Sequence, residues 1–374
     1  MRVLHLLSST GYHGAENMAA QLIRDLSAQG IENYVGAFRN NESSNTDILG
    51  VVRDVAKEGV IFDCPGKLDV GAVLSLRRYI GERKVQLVHS HKYKTNFYAA
   101  VARLGTDCAL VATCHNWLVG EAKMRLYAAI DKRVLKAFDR VVGVSERVAG
   151  ELRRHVGPAK TVKIDNGVDL ARFDGSVSAD EAKKALGLGP RAVVGFVGRL
   201  APAKGVSQLL RAVRSLGDRG IELDVLVAGE GEMERELRDE AQGLGLRDRV
   251  CFLGRREDMP RVYAAMDVLV LPSFEEAFPM VVLEGMAAGV PVVSTRVGDV
   301  PYMLEEGRCG ILVEPGNVTE LGEAIRSLVG DRPRARQIAS AAQRRAREHF
   351  SSRAMAGRYR EIYGQVWQEL HNAA

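Results

Sequence analysis

Residues 268–294 read VLVLPSFEEAFPMVVLEGMAAGVPVVS. The four apolar residues Val268–Leu271 have the length and composition of a buried strand, and Pro272 ends the run. A loop with two acids, Glu275 and Glu276, follows. A helix is expected from near Pro279, running over Val281–Ala288 to Gly289, and Pro291–Ser294 is a second buried strand. Strand, helix and strand in this order form a βαβ unit, whose two strands run parallel.

The same rhythm extends outward from this stretch. Ala192–Val197, Asp224–Ala228 and Val250–Leu253 are further apolar runs, with helical segments such as Gly231–Gln242 between them. In the first half Val3–Leu7, Val85–Val88, Leu110–Thr113 and Arg140–Val144 repeat the pattern. The expected class is α/β, with two doubly wound, Rossmann-like parallel-sheet domains facing a central cleft. Residues 1–172 form the first domain and 191–350 the second. Residues 173–190, rich in Gly and Ser and closed by Pro190, are expected as the linker. The tail, 351–374, carries Met355, Tyr359, Ile362, Tyr363, Val366 and Trp367 at helical spacing, and is expected to dock back on the first domain.

Length and composition agree with two cores: 374 residues, 46% hydrophobic and 26% charged. No window has the apolar length of a transmembrane helix, and the first apolar run is too short for a signal-peptide core. The five scattered cysteines, Cys64, Cys108, Cys114, Cys251 and Cys309, form no Cys-x-x-Cys pair, which points to a reducing cytoplasm without disulfides or structural zinc. The net charge of +5 does not imply nucleic-acid binding, and suits an anionic small substrate or membrane surface.

In doubly wound sheets ligands bind beyond the carboxyl ends of the strands, so the turns there carry the candidates. At 268–294 a helix N-terminus offers free N–H groups to a phosphate, with Glu276 and Glu284 placed to accept from hydroxyls on either side of it. The alternative is a solvated loop acid and a helix-surface acid. At 195–205, GFVGRLAPAKG, a strand delivers Arg199 and a turn brings Lys204 to the next helix; two cations meeting there fit a diphosphate, although a cation pair at a helix start is also ordinary. Gly229–Gly231, with Glu230, and Gly254–Arg256, with Arg255, are turns at strand ends.

The first half holds three more turns. SSTGYHGAE, residues 8–16, lacks the dinucleotide-binding glycine spacing. TCHNW, 113–117, puts His115 at a strand end. HSHKYKTN, 89–96, contains a His-x-His pair, with no third ligand cluster evident beside it, so no metal is expected. Lys92 and Lys94 beside His91 are candidates for an anionic acceptor. Residues 121–155 hold nine basic against five acidic residues, either a solvated face or a contact with anionic lipid.

The 268–294 stretch resembles the signature of the family 4 retaining glycosyltransferases, the group 1 glycosyltransferases of GT-B fold, with Ala277 where that pattern usually has Gly. The Gly198-Arg199-Leu200 and Lys204-Gly205 pattern and Asn166-Gly167-Val168-Asp169 are similar to the family's as well, and residues 8–16 resemble its glycine loop with His13 in place of the first Gly. The resemblance implies a metal-independent glycosyltransferase using a nucleotide-diphospho-sugar, UDP- or GDP-linked, with no further cofactor. It implies that Glu276 binds the donor sugar and Glu284 the ribose. Ala277, Phe278, Pro279, Met280 and Val281 would hold sugar and diphosphate, Arg199 and Lys204 the leaving diphosphate, and the Glu230 and Arg255 turns would flank the base. It further implies that Gly14 lets backbone approach the diphosphate or acceptor, and that His115 lies near the reaction centre. The acceptor is expected to be a carbohydrate or lipid-linked carbohydrate of bacterial polysaccharide or glycolipid synthesis, handled in the cytoplasm or at the inner membrane face. A same-fold epimerase, a pyridoxal-dependent phosphorylase and a non-catalytic nucleotide-sugar sensor are the alternatives.

Overall fold

The computed structural model describes residues 1–9, 11, 14–40, 45–66, 69–115, 122–175 and 177–372, the side chains at 122–124 excepted. His13, Asn116 and Trp117, which the sequence motifs include, lie outside the described residues. The chain divides into two units, one of Met1–Gly167 with Ser352–Ala374 and one of Val168–Ser351.

The first unit contains β1 (Arg2–Leu7), β2 (Glu32–Arg39), β3 (Glu58–Asp63), β4 (Leu87–Ser90), β5 (Ala109–Cys114), β6 (Arg140–Gly143) and β7 (Thr161–Lys163). They form one sheet in the order β3-β2-β1-β4-β5-β6-β7, with every pairing parallel. Parallel strands must be joined by crossovers, so helices cover the sheet and its central strands read as continuous apolar runs. β5, ALVATC, is buried at all six positions. The order reverses between β1 and β4, and that is where a ligand site forms in such sheets.

The second unit repeats the plan with β8 (Ala192–Val197), β9 (Leu223–Ala228), β10 (Val250–Gly254), β11 (Val268–Leu271), β12 (Val292–Thr295) and β13 (Ile311–Val313), ordered β10-β9-β8-β11-β12-β13 and again parallel. Val194 and Phe196 of β8 pack with Leu209 and Val213 of helix Val206–Gly217 and with Val225 and Val227 of β9. Each such buried aliphatic side chain stabilises the unit by roughly 1.5–3 kcal/mol. The reversal falls between β8 and β11, the two strands that lead to Arg199 and to the Glu276 loop.

The boundaries differ from expectation. Residues 173–190, expected as a linker, belong to the second unit. They contain helix Ala179–Ala185, started by a capping box in which the Ser178 hydroxyl accepts from Glu181 N and the Glu181 carboxylate accepts from Ser178 N. Lys183 of that helix pairs with Asp267 at 2.6 Å, and the same carboxylate oxygen accepts from Val193 N of β8. Gly and Ser at both ends gave the segment a linker's composition around a short, well-capped helix. Helix Ser352–Asn372 belongs to the first unit, burying Met355, Tyr359, Ile362, Tyr363 and Val366. No helix among the described residues is long and apolar enough to cross a membrane, and all five cysteines are free thiols.

Candidate functional site

In the second unit the β11 loop is pinned from three sides. Thr295 Oγ1 at the end of β12 donates to Ser273 O at 2.6 Å, Phe274 N to Ala203 O at 2.8 Å, and Asp299 N to Ala277 O at 2.9 Å. Two glycines make this closeness possible. A Cβ on Gly205 would lie 2.2 Å from Pro272 O, and one on Gly298 would lie 2.3 Å from Glu276 O. Both have positive φ, +64° and +53°, a region L side chains enter at a cost.

The pinned loop brings Lys204 and Glu276 into contact. Lys204 Nζ lies 2.6 Å from Glu276 Oε1, which also accepts from Ser273 Oγ at 2.8 Å. The Glu276 side chain is 10% exposed and that of Lys204 24%, so the pair is largely removed from water. The sequence assigned these two residues to separate tasks, and the structure joins them as one ion pair. The Arg199 guanidinium at the end of β8 is exposed. Helix Met280–Ala287 begins beside the loop, and no side chain caps its start at Pro279. Val282 N already donates to Pro279 O at 3.2 Å, so the Met280 and Val281 N–H groups are those that remain for water or an anion, with the positive end of the helix dipole behind them. Ala277, Met280 and Val281 are partly accessible there, whereas the Phe278 ring is buried edge-on against Phe350, centroids 5.7 Å apart. Phe278 thus offers backbone to a ligand and its ring to the core.

Glu284, one turn into this helix, is buried, and Tyr263 OH donates to its Oε2 at 2.7 Å. Burial, reinforced by the Glu284 charge, pushes the Tyr263 hydroxyl well above the usual tyrosine range, so it stays a donor. Glu230, just past β9, accepts at Oε1 from Arg255 N, just past β10, at 3.2 Å and so joins the two turns expected at the base.

The first unit gathers its candidates at the β1–β4 reversal. A small pocket there is lined by Leu7, Ser8, Ala15, Glu16, His91 and Lys92. Lys92 Nζ contacts Glu16 Oε1 at 2.5 Å and Ser9 Oγ at 3.1 Å. Glu16 is 2% exposed, so Lys92 already balances a buried carboxylate. Lys94 is held by Asn40 Oδ1 and sits 5.9 Å from the Phe38 and Tyr98 ring centres, turned to its own protein. Gly14 is exposed at the start of helix Gly14–Ala28. His115 follows β5 with Nε2 sealed from solvent and without a partner among the described residues, and burial lowers its pKa to about 4. It is a neutral imidazole at pH 7.

The expectation that the His-x-His pair stands alone is corrected. β1 and β4 pair in register with His5 opposite His89, which adds a third histidine to His89 and His91. A polar residue inside the apolar run Val3–Leu7 was the available signal. Tyr263 and Ser273 were also missed; their roles depend on tertiary contacts that no local motif carries. Of the cations in 121–155, Lys132 is paired with Glu151 at 3.4 Å, while Arg125 and Arg133 are exposed beside exposed Leu126 and Ile130.

Solved structures share this architecture. Anabaena HepE in complex with UDP-glucose superposes with a TM-score of 0.86 at 25% identity, covering 98% of this chain and 100% of HepE. WaaG, a glycosyltransferase involved in lipopolysaccharide biosynthesis, gives 0.74 at 18% identity, over 96% and 99% of the two chains. The two Rossmann-like units are those of the GT-B class. Residues 178–345 match the model of the glycosyl transferases group 1, and residues 12–172 that of glycosyltransferase family 4. A D-inositol 3-phosphate glycosyltransferase of Saccharomonospora viridis is 33% identical over 314 residues, 77% of this chain and 72% of the relative. One from a Mycobacterium sp. is 35% identical over 266 residues, 66% of this chain and 60% of the relative. For that protein and its Salinispora tropica counterpart the match spans 60% and 64% of their length. The chain belongs to the group 1, family 4 glycosyltransferases.

Proposed function

We propose that the protein transfers a sugar from a nucleoside-diphosphate sugar, UDP- or GDP-linked, to an acceptor hydroxyl with retention of anomeric configuration. The observation that carries this reading is the Lys204–Glu276 pair, held by a pinned loop that runs into an uncapped helix start. Arrival of the donor exchanges the partner of Lys204 from carboxylate to phosphate and leaves Glu276 free to accept from sugar hydroxyls. Departure of the diphosphate builds negative charge, which Arg199, Lys204 and the Met280–Ala287 N-terminus stabilise without a divalent metal. Glu284, fixed by Tyr263, accepts from the ribose. The departing phosphate oxygen takes the acceptor proton, so no separate general base is required. Neutral His115 serves as a hydrogen-bonding group of the first unit rather than as a charge.

The acceptor is proposed to be an anionic carbohydrate or a lipid-linked one, with Lys92 as its cation. The inositol phosphate named for the relatives fits that charge, and polysaccharide or glycolipid synthesis is the wider setting. Exposed Leu126 and Ile130 with Arg125 and Arg133 support a peripheral contact with anionic lipid at the cytoplasmic face. The test is a thermal-shift screen of nucleotide sugars on the wild type and on Lys204→Ala, followed by transfer assays and determination of the product anomer. A donor that stabilises the wild type and much less the variant supports the reading. Failure of every nucleotide sugar to raise the melting temperature refutes it. Incubation with donor alone detects epimerisation.

A further inference from the structure

We propose that His5, His89 and His91 form a binding site for one divalent transition-metal ion of the zinc class. The site goes beyond the proposed transfer reaction, and the ion is assigned no part in it. The parallel register sets His5 of β1 opposite His89 of β4, and His91 follows two residues on. The three rings are buried, at 0%, 0% and 2% exposure. Their centres lie 5.3 Å apart for His5 and His89, 5.8 Å for His5 and His91, and 4.1 Å for His89 and His91.

Buried polar atoms normally have partners, and here several do not. Asn33 Nδ2 donates to Ser27 Oγ, Ile23 O and Ile31 O, so its Oδ1 is the acceptor that faces His5 Nε2 at 3.0 Å. That fixes the His5 tautomer and leaves Nδ1 as a bare lone pair, sealed from water and unpartnered. Both ring nitrogens of His91 are likewise buried without a partner. His89 is oriented by Thr113 Oγ1 at 2.7 Å and Tyr363 OH at 2.7 Å. These bonds engage both of its ring nitrogens; one of them is of the kind that holds a ligating imidazole from its far side in known metal sites. Burial, with the neighbouring rings adding to it for His89 and His91, keeps all three neutral, the form that ligates.

One nitrogen from each residue lies within 4.8 Å of the others. A tetrahedral ion with bonds of about 2.0–2.1 Å needs nitrogens about 3.4 Å apart, so the rings close inward by side-chain rotation, and His89 gives up one hydroxyl partner. An all-imidazole set selects Zn²⁺, Co²⁺, Ni²⁺ or Cu²⁺ over Mg²⁺ and Ca²⁺, which prefer oxygen. Three ligands leave a fourth position open, and His91 also lines the small pocket at the β1–β4 reversal.

The test uses the tag-free full chain, dialysed against chelator and titrated with Co²⁺. The visible d–d bands report tetrahedral coordination, and elemental analysis after desalting reports stoichiometry. One ion per chain, displaced by Zn²⁺ and weakened at least about tenfold by His5→Gln and by His91→Gln, is the expected result. Absence of a stoichiometric ion overturns the proposal and leaves the ring nitrogens to buried water. Unchanged binding in both variants overturns it too, because the ion then sits elsewhere. Should either variant fail to fold, the wild-type stoichiometry and its Co²⁺ spectrum decide the matter alone.

Discussion

Replacing Tyr263 by Phe removes one oxygen and nothing else from the second unit. The ring is fully buried and edge-on to Phe173, centroids 5.8 Å apart, so its packing survives the change. What is lost is a 2.7 Å hydrogen bond to the Glu284 carboxylate, itself 7% exposed. A bond to a charged group contributes about 1.5–3 kcal/mol, and the carboxylate left behind has no ready access to water. For a unit of this size each kcal/mol lowers the melting temperature by about 2–4 °C, so a fall of about 3–12 °C is expected by calorimetry. The same carboxylate is proposed to hold the ribose, so affinity for UDP or GDP, whichever binds, should fall about five- to tenfold by titration calorimetry. The cycle with Glu284→Gln should return a coupling energy above about 1 kcal/mol. A melting temperature within about 1 °C of wild type together with unchanged nucleotide affinity would refute both the bond's role and the ribose assignment.

Glu276→Ala should lower kcat by at least about 100-fold with a smaller change in donor KM, read by initial rates, because its work is done as charge and geometry change at the sugar. Lys204→Ala should weaken nucleoside diphosphate binding about tenfold and flatten its salt dependence, measured by titration at two ionic strengths. Gly298→Ala should depress transfer while circular dichroism stays native, because its Cβ would press on the Glu276 carbonyl from 2.3 Å; wild-type kcat would show that the loop yields. Lys92→Met should raise acceptor KM and leave donor affinity unchanged in steady-state kinetics, and combining it with Glu16→Gln should recover stability lost by stranding the buried carboxylate.

The central strands were legible because parallel strands buried on both faces are short apolar runs. β5, β8, β9, β11 and β12 fall on or within a residue or two of the stretches the sequence marks. β2 and β3 were not marked. β2, ENYVGAFR, interrupts its apolar residues with Asn33 and Gly36, and β3 alternates at the sheet edge, where one face meets water. β13 is three residues long and has too little sequence to stand out. In the candidate site, Glu276, Lys204 and Arg199 stand out in the sequence because each follows a strand end, and Glu284 because it sits one turn into the helix after such a loop. Their partners do not. Tyr263 reaches Glu284 from another helix, and His5 reaches His89 only through strand register, which a single sequence does not state.

Helix Ser352–Asn372 belongs to the same unit as Met1–Gly167, although the whole of Val168–Ser351 lies between them in the sequence. Until it emerges, the β1–β7 sheet lacks the side chains that cover it: Tyr359 OH, which meets Thr113 Oγ1 at 2.9 Å, and Tyr363 OH, which meets His89 at 2.7 Å. During synthesis the β1–β7 sheet therefore stays incompletely buttressed until the whole of Val168–Ser351 has been made. A stop codon just before Ser352 would spare Lys204, Glu276 and Glu284 and still strip Thr113 and His89, in the other unit, of their Tyr359 and Tyr363 hydroxyl partners.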